Sequence, residues 1–220
     1  MKDAPGVQNV VHVLEQMGHE NTLVVVSAMG KTTNAMESLV AAYFEYKNTK
    51  NKTPLNEALQ LLTDFHLDIS RDLFENDSAP VFSKIQSLLA EINGFLAWNK
   101  SPNYNFVYDQ LVGYGELLSS TIISAYLSKS GIANTWLDVR SCIKTDDQYR
   151  DAQVDWEQTA AQTKAIVKKD TLYITQGFIG ADDNNFTTTL GREGSDYTAF
   201  GKMCQECSTQ TPGFLRRPPF

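Results

Sequence analysis

The run Thr22-Leu-Val-Val-Val-Ser-Ala28 restricts the fold more than any other stretch of the chain. A short, β-rich apolar run without polar alternation is the mark of a strand covered on both faces, as in a parallel sheet flanked by helices. A helix precedes it: Asp3 caps, Pro5 lies in the opening turn, and Val7, Val10, Val11, Leu14 and Met17 recur at helical spacing until Gly18. A helix feeding such a strand ordinarily follows an earlier strand, and none is found before it in this sequence. After the strand comes Ser27-Ala28-Met29-Gly30-Lys31-Thr32-Thr33-Asn34. Open α/β sheets place ligands at such carboxyl-end turns. Two readings stand: a plain turn capped by Thr33 or Asn34, or a cradle whose hydroxyls, N–H groups and Lys31 hold a carboxylate or phosphate.

Residues 36–98 read as helical and mainly structural. Thr53-Pro54 opens a helix with Leu55, Ala58, Leu62, Phe65, Ile69 and Leu73 on one face, and Ser78 opens another through Val81, Ile85, Leu89, Ile92 and Leu96. His12, His19 and His66 have no partner at a motif spacing and read as structural or exposed. A single helix is expected over 107–129, although it contains Gly113 and Gly115, each costing roughly 1 kcal/mol against Ala. Close packing is the expected reason. Glu116 beside them reads equally as an acceptor for an ammonium group and as a packed glutamate with its carboxylate at the solvent edge.

Strands are then expected over 133–139 and 171–175, with a helix from Trp156 to Val167 between them, completing a βαβ unit. Asp138 and Arg140, at the end of the first, read as a structural ion pair. A turn-rich segment, 177–185, leads into Thr187-Thr-Thr-Leu-Gly-Arg-Glu-Gly-Ser-Asp-Tyr-Thr-Ala199. Gly191 and Gly194 permit positive φ, Ser195 or Asp196 can cap a following helix, and Arg192 offers a planar fork suited to a carboxylate. A hydroxyl-rich capped turn explains the same residues equally well.

The chain of 220 residues, 42% hydrophobic, suffices for one α/β domain with a sizeable core. A net charge of −7 argues against nucleic acid or an anionic membrane as partner. The sequence contains neither an apolar run of about 18 residues nor a signal-peptide pattern, so a cytoplasmic protein is expected. Cys142, Cys204 and Cys207 do not suggest a disulfide framework, and the CxxC spacing of the last two is a weak metal or redox signal, so incidental thiols are expected and no metal site is assigned. From Gly201 the periodicity ends in a Pro-containing stretch that reads as an irregular tail, 201–220.

The sequence motifs share one resemblance. TTTLGREGSDYTA at 187–199 is similar to the TTLGRGGSDYTA signature of aspartokinases, with Glu193 where that family usually has Gly. VVVSAMGKTTN at 24–34 resembles their VVSA…T segment, YGELLS at 114–119 their fGErlS segment, and WLDVRSCIKTDDQY at 136–149 their D-x-R…T-D-D stretch. The resemblance extends from about Asp3 to Ala199. It implies the amino-acid kinase fold, a three-layer αβα sandwich around a mainly parallel sheet. It also implies phosphorylation of the β-carboxylate of L-aspartate by ATP with Mg²⁺, the first step toward lysine, threonine and methionine, in an enzyme that is a homo-oligomer when complete.

Carried over residue by residue, the resemblance places Thr33, Glu116, Arg192, Ser195 and Asp196 around L-aspartate, and Ser27, Ala28 and Gly30 near nucleotide and phosphate. Arg192 would clamp the α-carboxylate and Glu116 receive the ammonium group; an ionised acceptor carboxylate needs no general base. The family's Lys-Phe-Gly-Gly loop, its adenine-binding half and its regulatory domains have no counterpart in this sequence. Residues 1–200 are therefore expected to form a partial catalytic domain, inactive by itself and poorly soluble through exposed sheet edges. The alternatives are a non-catalytic remnant that binds aspartate, another amino-acid kinase family member, and a generic α/β phosphate binder without aspartate selectivity.

Overall fold

The computed structural model describes residues 1–191. Helix α1 (Ala4–Met17) opens as expected, with the Asp3 carboxylate accepting from the Gly6 N–H and Gly18 closing it at φ 77°. Strand β1 (Leu23–Val26) follows. Three long helices come next, α2 (Thr32–Thr49), α3 (Thr53–Leu73) and α4 (Pro80–Trp98), then α5 (Tyr104–Val112) and α6 (Tyr114–Lys129). Strand β2 (Thr135–Leu137), a 3-10 turn at Val139–Ser141, helix α7 (Trp156–Ile166) and strand β3 (Tyr173–Gln176) precede a hairpin of β4 (Ile179–Ala181) and β5 (Thr187–Thr189).

The sheet runs β1-β3-β2 with every pairing parallel, and β4 pairs with β5 antiparallel. Side chains alternate across a strand, so the sheet divides the apolar residues into two clusters. Val24, Val26 and Ile174 join the larger one, with the helical residues of α1 to α6. Leu23 and Tyr173 join the smaller one, with Leu117, Leu137, Val139, Ile166 and Val167. The mainly parallel, helix-covered sheet anticipated from the apolar run at 22–28 is present.

Four local expectations are corrected. The helix predicted over 107–129 is broken at Gly113, which ends α5 and begins α6 with φ −60° and ψ −17°. Helix α4 starts at Pro80 rather than Ser78, because Pro suits the first turn while the Ser78 N–H and hydroxyl turn back to Asn76 Oδ1. The segment 177–185 contains a strand, β4. Thr187–Thr189 is its partner strand rather than a turn, because its side chains and backbone are all satisfied within the fold.

His66, expected to be structural or exposed, is fully buried in α3, with Nδ1 bonded to the Leu62 carbonyl at 2.8 Å and Nε2 without a partner among the described residues. Burial lowers its pKa, against the raising effect of that bond. The unfolded chain therefore takes up a proton on this ring below about pH 6.5 that the folded chain resists. We expect the stability difference between the wild type and His66→Asn to shift in the variant's favour by up to about 1.4 kcal/mol per pH unit below 6.5. Denaturant melts at pH 8, 6 and 5 measure it, and a difference constant across that range would contradict the assignment.

Candidate functional site

Glycine brings α6 against the turn after β1. A Cβ on Gly115 would lie 3.0 Å from the Ala28 Cβ and 3.2 Å from the Thr32 Cγ2, so only a bare Cα permits this approach. Two hydrogen bonds hold the contact: the Ala28 N–H donates to Glu116 Oε1 at 3.3 Å, and the Ser119 hydroxyl donates to the Ser27 carbonyl at 2.8 Å. The packing reason anticipated for the glycines is thus found at Gly115. Gly113 has one too, since a Cβ there would meet Ile179 Cγ2 at 2.9 Å.

Glu116 is the unusual group at this junction. It is 3% exposed, and while Oε1 has the Ala28 amide, Oε2 has no partner among the described residues. Burial pushes its carboxyl up to about 8, with the Ala28 N–H acting in the opposite direction. Among the described residues no cation neutralises it. A glutamate with its carboxylate at the solvent edge, one of the two readings of the sequence, is therefore not what the structure contains.

The turn itself is closely tied. Thr32 donates its hydroxyl to the Met29 carbonyl at 2.6 Å, and Gly30, at φ 55°, donates its N–H to the Met1 carbonyl at 3.1 Å. Ser27 and Lys31 are exposed and Thr33 is half-buried in the first turn of α2. Ser27, Ala28, Gly30, Thr33 and Glu116, separated by up to 89 positions, are thereby gathered around one junction. The amides of Ala28 and Gly30, however, are already engaged by Glu116 and Met1.

The second candidate segment is reached through β5. Arg140 holds Asp138 in a fork, Nε to Oδ1 at 2.9 Å and Nη2 to Oδ2 at 2.7 Å, and its Nη1 donates to Thr187 Oγ1 at 3.1 Å. The pair is structural, as expected, and it also fastens the 3-10 turn to β5. Gln110 brackets Thr187 from α5, donating to its carbonyl at 2.7 Å and accepting from its N–H at 3.2 Å. The Thr188 hydroxyl meets that of Thr145 at 2.7 Å. Thr189 donates both its N–H, at 2.9 Å, and its hydroxyl, at 2.8 Å, to the buried Asp109. Gly191 follows at φ 71°. Arg192, Ser195 and Asp196, with the CxxC cysteines and the tail, lie outside the described residues.

Asp109 and Gln110 carry no motif signal in the sequence, because their partners are distant along the chain; Thr145 lies in the T-D-D motif, but its contact with Thr188 is not legible there. Among the described residues, no three His, Cys, Asp or Glu side chains are grouped so as to hold a metal ion. No helix among them is long and apolar enough to cross a membrane.

The chain belongs to the amino acid kinase family, whose model matches residues 1–201. Within that family it is similar to aspartokinases. It is 28% identical over 206 residues to the aspartokinase of Chlamydia trachomatis, covering 92% of this chain and 43% of that protein. Against lysine-sensitive aspartokinase 3 of Escherichia coli (strain K12) it is 40% identical over 94 residues, covering 41% of this chain and 21% of that protein. Crystal structures of E. coli aspartokinase III, one with lysine and aspartate and one with aspartate and ADP, each superpose with a TM-score of 0.78 at 27% identity, covering 93% of this chain and 44% of theirs. The chain thus spans less than half the length of these relatives, and 21% of a bifunctional aspartokinase/homoserine dehydrogenase of Arabidopsis thaliana.

Proposed function

We propose that the junction of β1, α2 and α6 is the substrate side of an aspartate kinase, and that Glu116 receives the ammonium group of L-aspartate. The observation that carries this reading is the buried, half-partnered carboxylate of Glu116: a fold that keeps an acceptor at 3% exposure with Oε2 unpaired has left a place for a cationic donor. Thr33, Arg192, Ser195 and Asp196 complete the pocket in this reading, with Arg192 on the α-carboxylate and the turn from Ser27 to Gly30 beside the phosphates. The β-carboxylate oxygen then attacks the γ-phosphorus of ATP, ADP leaves, and 4-phospho-L-aspartate forms. Mg²⁺ would neutralise the phosphate charge when bound. What this chain's residues supply is positioning, on which phosphoryl transfer chiefly depends.

The same reading makes this the entry reaction toward lysine, threonine and methionine. Its support is twofold: the likeness to aspartokinases and the aspartate named in two of the superposed structures. Isothermal titration of the 220-residue chain with L-aspartate, D-aspartate and succinate tests it. L-aspartate binding that exceeds succinate binding by at least about tenfold is expected, since succinate lacks the ammonium group. Arg192→Ala is expected to lower L-aspartate affinity by about 30-fold or more, because a carboxylate loses a bidentate partner. Equal binding of all three ligands would point instead to a generic anion site.

A further inference from the structure

Asp109 is fully buried near the end of α5 and forms no salt bridge among the described residues, the Arg150 charge acting on it without direct contact; its three hydrogen-bonding partners there are the Arg150 N–H at 2.9 Å, the Thr189 N–H at 2.9 Å and the Thr189 hydroxyl at 2.8 Å. Two of these come from a residue 80 positions away that stands two places before Gly191. The third comes from a turn that is itself constrained. Arg150 has φ 74°, and its guanidinium lies 4.3 Å from the centre of the Tyr108 ring, whose hydroxyl donates to Glu37 of α2. Its neighbour Asp151 crowds Gly191, where a Cβ would come within 2.9 Å of Asp151 Oδ1. One carboxylate therefore ties α5, the turn at Arg150 and the last residue of β5 together.

Helix α5 runs through the single residue Gly113 into α6, whose first turn holds Glu116. We propose that Asp109 is a positioning residue for the L-aspartate site: by fixing Thr189 and the Arg150 turn against the α5–α6 pair, it sets where the end of β5 and Gly191 stand relative to Glu116. This rests on the function proposed above. Asp109 does not touch substrate; it governs the spacing between Glu116, which meets the ammonium group, and the end of β5. Neutral Asn can fill the same role, its carbonyl oxygen accepting from both amides and its NH2 donating to the Thr189 hydroxyl, whereas Ala cannot.

The test uses the 220-residue chain as wild type, Asp109→Asn, Asp109→Ala and Thr189→Val, with amide hydrogen exchange of Arg150 and Thr189 and calorimetric titration with L-aspartate. In Asp109→Ala both amides are expected to exchange about tenfold faster or more, with L-aspartate affinity falling by at least about tenfold; in Asp109→Asn both readouts stay within about threefold. An Asp109→Ala chain that keeps wild-type affinity overturns the proposal. So does an Asn variant that loses as much as Ala, since that would make the charge, and not the placement of β5, the operative property. If Asp109→Ala does not fold, Thr189→Val decides, as it removes one of the three bonds: unchanged Thr189 exchange together with unchanged affinity overturns the proposal. If the wild type binds no L-aspartate, the functional reading fails, and unaccelerated exchange in the variants would separately show that Asp109 holds nothing in place.

Discussion

L-aspartate binding to this chain is expected to expel close to one proton at neutral pH. Burial places the Glu116 carboxyl at about 8, so at pH 7 the free protein carries it largely protonated, and an incoming ammonium group requires the ionised form. Affinity should then rise about tenfold per pH unit between 6 and 8 and level off above. Titrations in phosphate and in Tris at pH 7 should give heats that differ by about one proton's worth of buffer ionisation. Glu116→Gln keeps the shape and an oxygen for the Ala28 amide, yet should weaken L-aspartate binding by at least about 30-fold, the lower end for removing one member of a buried charge pair.

The same substitution should help the fold. Because the folded pKa lies above the unfolded one, the glutamate's contribution is most favourable below the ordinary carboxylate range and is lost as pH rises through 8. Glu116→Gln removes that loss, and at pH 9 the variant should be more stable than the wild type by a few kcal/mol at most, on the order set by the pKa shift. A variant that binds poorly and melts later is the signature of a binding group held at the expense of stability. Affinity that is flat from pH 6 to 9, or a Gln variant that binds normally, would remove Glu116 from the site.

The second large effect is expected from one added methyl group. Gly115→Ala sets a Cβ 3.0 Å from another Cβ, that of Ala28, neither of which is the end of a flexible chain. The helix or the turn must move, at a cost of about 1–3 kcal/mol, or roughly 2–10 °C in Tm for a domain of this size. The Ala28–Glu116 and Ser27–Ser119 hydrogen bonds lie on this contact, so L-aspartate affinity should fall as well. Gly94 in α4 provides the contrast, because a Cβ there meets nothing within 4 Å. Gly94→Ala should stabilise the chain by about 0.5–1 kcal/mol through helix propensity alone, with binding unchanged. Two thermal melts and two titrations settle the pair, and equal effects at both positions would refute the close approach.

The contrast shows why some of this architecture could be read from the sequence and some could not. The apolar run at 22–28, the cap at Asp3 and the faces of α3 and α4 are local patterns, and local chemistry determines them. Gly115 was legible as an anomaly, because a glycine inside a helical pattern demands a neighbour that comes close. The break at Gly113 was not, since that glycine has an ordinary helical backbone and its close neighbour Ile179 is remote in sequence. Likewise Thr187–Thr189 looks like a hydroxyl-rich turn because its neighbours in sequence suggest one. It is a strand because Arg140, Thr145 and Asp109, all remote in sequence, take up its hydroxyls. The half-partnered state of Glu116 is a property of burial, which no spacing of residues announces.

Those three threonines have a further consequence. A strand of three residues paired with another of three is a weak ruler, and a slip by one place would turn every side chain to the opposite face. Here each successive hydroxyl recognises a different element: the 3-10 turn through Arg140, the segment at Thr145, and α5 through Asp109. A slipped strand would forfeit all three matches at once. The register of β5 is thus checked at every position by contacts outside the ladder, and the chain leaves β5 toward Gly191 from a single, unambiguous starting point.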